Sequence, residues 1–348
     1  MIRCAIVGYG PVFNWGWMHA RWMRAVADLR LVAICDRDPD CAAKAKQDFP
    51  EVGIFTDLRQ MLEGAAIDLV AVVTPHSTHA AVALECLAAG KHVVVEKPMC
   101  LSVAEADTMI AAARKADRTL AVFHNRRHDG NVRAIRQIVR QGLLGDLFHL
   151  EVTACGYGRG FDPGRPDRPW RTVKEISGGA LYDWGAHAVD WVLSMVPGRM
   201  TQVTGFFHKR VWHDMSNEDQ TRAIVRFDDG CVAEVLQSSI AFAGKPYLWY
   251  ILGTKGAIVD TGRGALEGYC RELNGPPGGS FRLRTAEGER DVPYADSDWA
   301  TYYADLAGHL LGGAPVPVSA ADGRRVIAVL ETAEKSSRSG RSEPVPYP

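Results

Sequence analysis

What this sequence lacks removes several classes of protein. No apolar run approaches the roughly 18 residues that a membrane-spanning helix needs, so no membrane partner is expected. The first residues, Met1-Ile2-Arg3-Cys4-Ala5-Ile6-Val7, run straight into a strand pattern without the layout of a signal peptide. Charge of one sign is never concentrated: 40 Lys and Arg face 41 Asp and Glu, a net charge of −1, which argues against nucleic acid as a partner. Eight cysteines are scattered without a C-x-x-C pair, the usage of reduced thiols in a cytoplasmic protein. The eleven histidines show no ligand spacing, so no metal is expected, and no internal repeat is visible.

What is present is an ordinary globular composition, 47% hydrophobic and 23% charged over 348 residues. That length suggests two domains of roughly 100–200 residues each. Up to about residue 123 the apolar runs read as short buried strands separated by helices. Ile2–Val7, Leu31–Cys35, Ile67–Val73, Val93–Val95 and Leu120–Phe123 are such runs, with Ser102 placed to cap a helix through Ala116. Strict alternation of this kind predicts an α/β Rossmann domain, a doubly wound parallel sheet, over residues 1–123. After His124 the pattern changes to period two, as in Phe148, Leu150, Val152 and Ala154, and to a hairpin around Asp228-Asp229-Gly230. Residues 124–348 are therefore expected to form an α+β domain with a predominantly antiparallel, open sheet. Gly178 to Trp191 reads as one helix, and the last ten residues as a loose tail.

Ligands of open α/β sheets bind beyond the carboxyl ends of the strands. Gly8-Tyr9-Gly10 follows the first strand and Gly16 lies six residues on, three more than the G-x-G-x-x-G spacing of a dinucleotide turn. Asp36 ends the second strand, where a carboxylate accepts from ribose hydroxyls and repels a 2′-phosphate. This favours NAD over NADP, although the neighbouring Arg37 can pair with a phosphate. The buried run Val93-Val94-Val95 stops at Glu96-Lys97-Pro98, which aims a lysine at the same crevice and makes Lys97-Pro98 a candidate cis peptide. In the second domain, Asp183, His187 and Asp190 fall on one helical stripe at i, i+4 and i+7. A histidine one turn from a carboxylate suits general acid–base chemistry, and it suits a structural core-edge contact equally well.

Five landmarks together carry a resemblance. They are the glycine turn leading to Gly16-Trp17-Met18-His19, Asp36, Thr74-Pro75-His76-Ser77-Thr78-His79, Ala89-Gly90-Lys91-His92 through Glu96-Lys97-Pro98, and Gly178-Gly179-Ala180-Leu181-Tyr182-Asp183-Trp184-Gly185-Ala186-His187. The chain resembles the Gfo/Idh/MocA family of oxidoreductases, the group of glucose–fructose oxidoreductase and inositol dehydrogenase. The resemblance implies that Gly8, Gly10, Gly16, His19, Asp36, Arg37, Thr74, Pro75, His76, His79, Glu96 and Lys97 surround the cofactor. It implies that Lys97 bonds the reacting hydroxyl, Asp183 positions substrate and lysine, and His187 takes the proton. Arg126, Tyr157, Trp170, Arg171 and Tyr182, with Asp183 and His187, are the expected substrate side. The chain departs from the family in its lengthened loop, which brings Trp15 and Trp17 to the cofactor turn, and in His76, where many relatives have asparagine. The function implied is oxidation of a secondary hydroxyl of a sugar, cyclitol or glycoside by NAD, in a homo-oligomer joined through the second sheet. The same residues also suit a redox-neutral, NAD-assisted glycoside hydrolase or lyase. A non-catalytic NAD-dependent sensor has no use for the proton-transfer set.

Overall fold

The computed structural model describes residues 1–10, 15–159, 169–261 and 278–347. Of these, residues 1–10, 15–124, 169–170 and 300–324 form one compact unit, and residues 125–159, 171–261, 278–299 and 325–347 another.

The first unit is a parallel sheet of β1 (Ile2–Val7), β2 (Leu29–Cys35), β3 (Gly53–Phe55), β4 (Leu69–Val72), β5 (His92–Glu96) and β6 (Leu120–Phe123), ordered β3-β2-β1-β4-β5-β6. The chain returns through helices α1 (Trp15–Arg24), α2 (Pro39–Asp48), α3 (Leu58–Gly64), α4 (His79–Ala88) and α5 (Val103–Ala116). Local sequence accounts for the helix starts. The side chains of Asp38, Asp57 and Ser102 accept N–H groups of the first turns of α2, α3 and α5. The central strands are buried on both faces, Val93 and Val95 being 0% exposed, and this is why they are β-branched runs without alternation. The strand order reverses between β1 and β4, so the turns after β1, β4 and β5 gather at one switch point. Late residues complete this unit. The helix Thr301–Gly312 buries Tyr302 and Tyr303, and the Tyr302 hydroxyl donates to the Val122 carbonyl at 2.8 Å.

The second unit holds a nine-stranded sheet formed by β7 (Leu147–Cys155), β8 (Met200–His208), β9 (Gln220–Phe227), β10 (Val232–Ser238), β11 (Trp249–Gly253), β12 (Gly256–Asp260), β13 (Ser280–Thr285), β14 (Gly288–Pro293) and β15 (Glu343–Pro344). Its pairings are antiparallel except for β7 with β10. Leu150, Val152, Ala233, Val235, Ala223, Val225, Trp249 and Ile251 form its covered face, each 2% exposed or less. Helices α6 (Gly130–Arg140) and α7 (Ala186–Met195) belong to this unit.

Two expectations are corrected here. The C-terminal residues are not a loose tail: Glu343 and Pro344 pair with Val203 and Gln202 at the sheet edge, and Val345 is buried. The free edge of β8 offers backbone partners that no local pattern in a short polar segment announces. The segment read as one helix from Gly178 to Trp191 has two geometries, a π-helical turn over Leu181–Gly185 and then α7. Leu181 packs closely against Gly185, where a Cβ would stand 2.6 Å from Leu181 Cδ1.

Candidate active site

The first unit contributes its three strand-end turns. After β1, Gly8 has φ +101°, and a Cβ on it would stand 2.3 Å from the Val73 carbonyl oxygen. A Cβ on Gly16, at the start of α1, would come within 2.8 Å of the Gly8 oxygen, whereas one on Gly10 would meet nothing within 4 Å. Gly8 and Gly16 let the turn and α1 close on each other, and Gly10 leaves open space for a ligand backbone. Helix α1 begins at Trp15 and carries Gly16 in its first turn. Trp15 packs against His19 and Trp22, while Trp17 lies under the Arg21 guanidinium at 4.8 Å. Residues 11–14 lie outside the described residues. Asp36 reaches back to the turn: its Oδ2 accepts the Tyr9 N–H at 2.6 Å, and Arg37 beside it is exposed. These features fit a dinucleotide with its pyrophosphate at the start of α1 and a ribose beside Asp36.

After β4, His76 to Thr78 form a short 3-10 turn, and the Thr78 hydroxyl lies 2.7 Å from the Pro75 oxygen and 2.8 Å from Thr74 Oγ1. His79 is fully buried, with one ring nitrogen 2.8 Å from the Pro98 oxygen and the other 2.8 Å from the Thr74 oxygen. It thereby joins the turn after β4 to the turn after β5, where the Lys97-Pro98 bond is cis. A neutral ring donates to only one of these carbonyls, and burial holds the His79 pKa below the ordinary imidazole value against the pull of both.

Lys97 is half-buried at the end of β5, and Glu96 anchors it from below. Glu96 Oε2 accepts the Lys97 N–H at 2.9 Å, and Oε1 lies 3.0 Å from His19 Nε2. Burial alone would push the Glu96 carboxyl up. The hydrogen bond and charge of His19, the Lys97 charge and the Lys97 N–H outweigh it and hold the pKa below the carboxylate norm. His19 is 1% exposed, and its other nitrogen lies 2.5 Å from the Tyr303 hydroxyl. Burial raises Tyr303 well above the ordinary phenol value, so it stays protonated. His19 therefore acts on the site through Glu96. Trp170 also belongs to this unit and stands edge-on to His76, ring centroids 4.9 Å apart.

In the second unit the expected residues lie on the π turn and the start of α7. Asp183 is buried, and its Oδ1 accepts from Arg171 Nη1 at 2.5 Å. The Arg171 and Asp183 side chains are 8% and 6% exposed, so guanidinium and carboxylate are held together out of water. His187 is 5% exposed and stacks near Trp191 at 6.5 Å. Asp190 is bound by Arg127 in a two-pronged pair at 2.8 and 2.6 Å. The π turn is a geometry frequent at functional sites, and here it sets the directions of Asp183 and Trp184 relative to His187. The other residues expected near substrate each have contacts of their own. Arg126 pairs with Asp129 at 3.3 Å, Tyr182 is 3% exposed, and Tyr157 is half exposed and stacked on Phe242 at 3.9 Å. The pairings of Asp183 with Arg171 and of Asp190 with Arg127 went unnoticed in the sequence, as did Asp129. Its carboxyl is pushed up to about 6 by burial, against the Arg126 charge and the Trp299 indole N–H. A carboxylate three residues after an arginine was the signal available. Among the described residues, no group of three or more His, Cys, Asp or Glu could hold a metal ion, and no helix is long and apolar enough to cross a membrane.

Comparison with known proteins agrees with both halves. Residues 2–124 match the profile of an oxidoreductase family with an NAD-binding Rossmann fold, and residues 132–259 match the GFO/IDH/MocA C-terminal domain. The chain is 27% identical over 360 residues to the scyllo-inositol 2-dehydrogenase (NADP(+)) IolW of Bacillus subtilis, covering 98% of this chain and 95% of the relative. It is 26% identical to the myo-inositol 2-dehydrogenase of Thermotoga maritima, with 98% of each chain covered. Among solved structures, the putative oxidoreductase yvaA of Bacillus subtilis superposes with a TM-score of 0.86 at 26% identity, covering 99% of this chain and 98% of that one.

Proposed function

The chain belongs to the Gfo/Idh/MocA family of oxidoreductases, and from that premise we propose that it oxidises a secondary hydroxyl of a sugar, cyclitol or glycoside. The first unit is an NAD-binding Rossmann domain, and NAD when bound supplies the acceptor for the hydride. Oxidising an alcohol carbon also releases the hydroxyl proton. In this reading His187 takes that proton at a ring nitrogen, since an ordinary imidazole titrates near neutrality. The Lys97 ammonium stabilises the oxygen as negative charge develops on it. Asp183, fixed by Arg171, orients substrate.

The observation that carries the reading is the way the two chemical groups are held. The Lys97 backbone N–H is held by a buried Glu96–His19–Tyr303 chain, and Asp183, on the turn that leads into the helix of His187, is held by a buried guanidinium. Groups positioned this firmly suit a reaction in which orientation is prepaid. The inositol substrates of the two named relatives agree with a polyhydroxylated ring as substrate. The test is NADH formation across a panel of monosaccharides, inositols and glycosides. NAD binding without reduction by any of them would refute the reading.

A further inference from the structure

Tyr303 belongs to the first unit, no sequence motif marked it, and its hydroxyl ends a buried chain that starts at Lys97. The helix Thr301–Gly312 carries this tyrosine, 0% exposed, to the ring of His19, whose Nδ1 lies 2.5 Å from the hydroxyl. The other nitrogen, Nε2, lies 3.0 Å from Glu96 Oε1, and Glu96 Oε2 accepts the Lys97 N–H at 2.9 Å. The His19 ring is set among aromatic faces, its centroid 5.5 Å from Trp22, 4.4 Å from Phe123 and 5.8 Å from Tyr303. A ring 1% exposed, with a partner on each nitrogen, has no polar edge left for a nicotinamide or a ribose.

Glu96 is likewise engaged inside the unit, its side chain 11% exposed and each oxygen in a hydrogen bond. It is held as a carboxylate, which only accepts, so the His19 nitrogen facing it carries a proton. The charges of Glu96 and Lys97 act on each other. His79, whose titration also feels Lys97, is held toward its neutral form by burial, so of these two groups Glu96 is the anion. A Glu96 side chain that turned away would release the Lys97 N–H and remove a counter-charge from the lysine together. His19 prevents that turn as long as its own ring is fixed, and the Tyr303 hydroxyl fixes the far side of that ring.

We propose that Tyr303, His19 and Glu96 are positioning residues for Lys97 and not contacts of the cofactor. The Tyr303 hydroxyl fixes the ring of His19, and His19 fixes the carboxylate of Glu96. Glu96 in turn holds the Lys97 backbone and favours the ammonium form of its side chain. The inference rests on the reading of Lys97 as the group that stabilises the reacting oxygen, and it gives that lysine its support.

The experiment compares the full chain with its Tyr303→Phe, Glu96→Gln, His19→Gln and His19→Asn variants. Calorimetry measures NAD binding, and steady-state kinetics use whichever sugar of the panel reduces it. Tyr303→Phe keeps the ring and removes one hydroxyl, and should lower kcat about tenfold, the worth of one hydrogen bond. Glu96→Gln keeps the shape and removes the charge, and should lower kcat on the order of 10²-fold. It should also move the alkaline limb of the kcat profile to lower pH, because an ammonium loses its carboxylate neighbour. His19→Gln can still present an N–H where Nε2 stands and should retain more activity than His19→Asn, whose amide falls where Nδ1 stands. NAD affinity should stay nearly unchanged in all four. Reductive methylation with isotope-labelled formaldehyde, followed by NMR, reads the Lys97 amine without substrate, its signal being the one missing from Lys97→Arg. In Glu96→Gln that signal should titrate at lower pH than in the unmutated chain. Lost NAD affinity with kcat held would return His19 and Glu96 to the cofactor and overturn the proposal. Tyr303→Phe turning over like the wild type, or a Lys97 titration and kcat profile unmoved in Glu96→Gln, would also overturn it and leave the reading of Lys97 standing. If no sugar reduces NAD and the Lys97 signal still moves in Glu96→Gln and Tyr303→Phe, the chain positions the lysine and the carbohydrate reading alone falls.

Discussion

Replacing Arg171 by alanine separates what holds the site from what reacts in it. The Arg171–Asp183 pair is almost wholly out of water, at 8% and 6% side-chain exposure. Removing one partner of such a pair leaves a buried charge without its counterion, at a cost of about 3–5 kcal/mol. At roughly 2–4 °C per kcal/mol for a unit of this size, the melting temperature should fall by about 6–20 °C. Asp183 would also lose its fixed orientation, and kcat/KM on whichever sugar reduces NAD should drop on the order of 10²-fold. The double variant Arg171→Met with Asp183→Leu removes both charges, and replacing a buried pair as a whole by apolar residues of similar volume is often neutral for stability. It should therefore melt near the wild type while remaining inactive. Thermal unfolding by circular dichroism and steady-state kinetics on the same preparations decide the matter. If Arg171→Ala melts within a degree of the wild type, or the double variant is no more stable than the single one, the pair does not brace the site and the reasoning fails.

Three further outcomes are expected. NAD should bind more tightly than NADP, and Asp36→Ala should narrow the gap; equal wild-type affinities by calorimetry would show that Arg37 outweighs Asp36. Lys97→Ala and His187→Ala should each lower kcat by ~10²–10⁴-fold with NAD affinity nearly unchanged, and wild-type turnover in both would place the chemistry elsewhere. Asp129 should make stability depend on pH. Its folded pKa of about 6 lies above the usual aspartate value, because burial outweighs the Arg126 charge and the Trp299 hydrogen bond. Between the two values the folded state binds the extra proton. The contribution is thus fully present below pH ~4 and lost as pH rises through about 6. Melts of Asp129→Asn across that window should lack this slope, and a slope identical to the wild type would disprove the assignment.

Much of this protein was legible in local patterns because the physics behind them is local. A strand buried on both faces must be continuously apolar, so β4, β5 and β6 announced themselves. The cap at Ser102 serves an N–H group three residues away and was readable for the same reason. The glycines of the cofactor turn and the carboxylate at Asp36 stand at intervals set by one strand–turn–helix unit. Tertiary structure alone decided the partners. Arg171 lies 12 residues from Asp183, Arg127 lies 63 from Asp190, and His19 lies 284 from Tyr303. Nothing in the spacing of an acid and a base along the chain says which arginine packing will bring to which carboxylate, and a helical stripe drawn through Asp183, His187 and Asp190 hid that two of the three are held by different guanidinium groups. The π turn and the edge strand at Glu343 share that origin. Each exists because another part of the chain is packed against it, and hydrophobic periodicity records only that a face is covered, not by what.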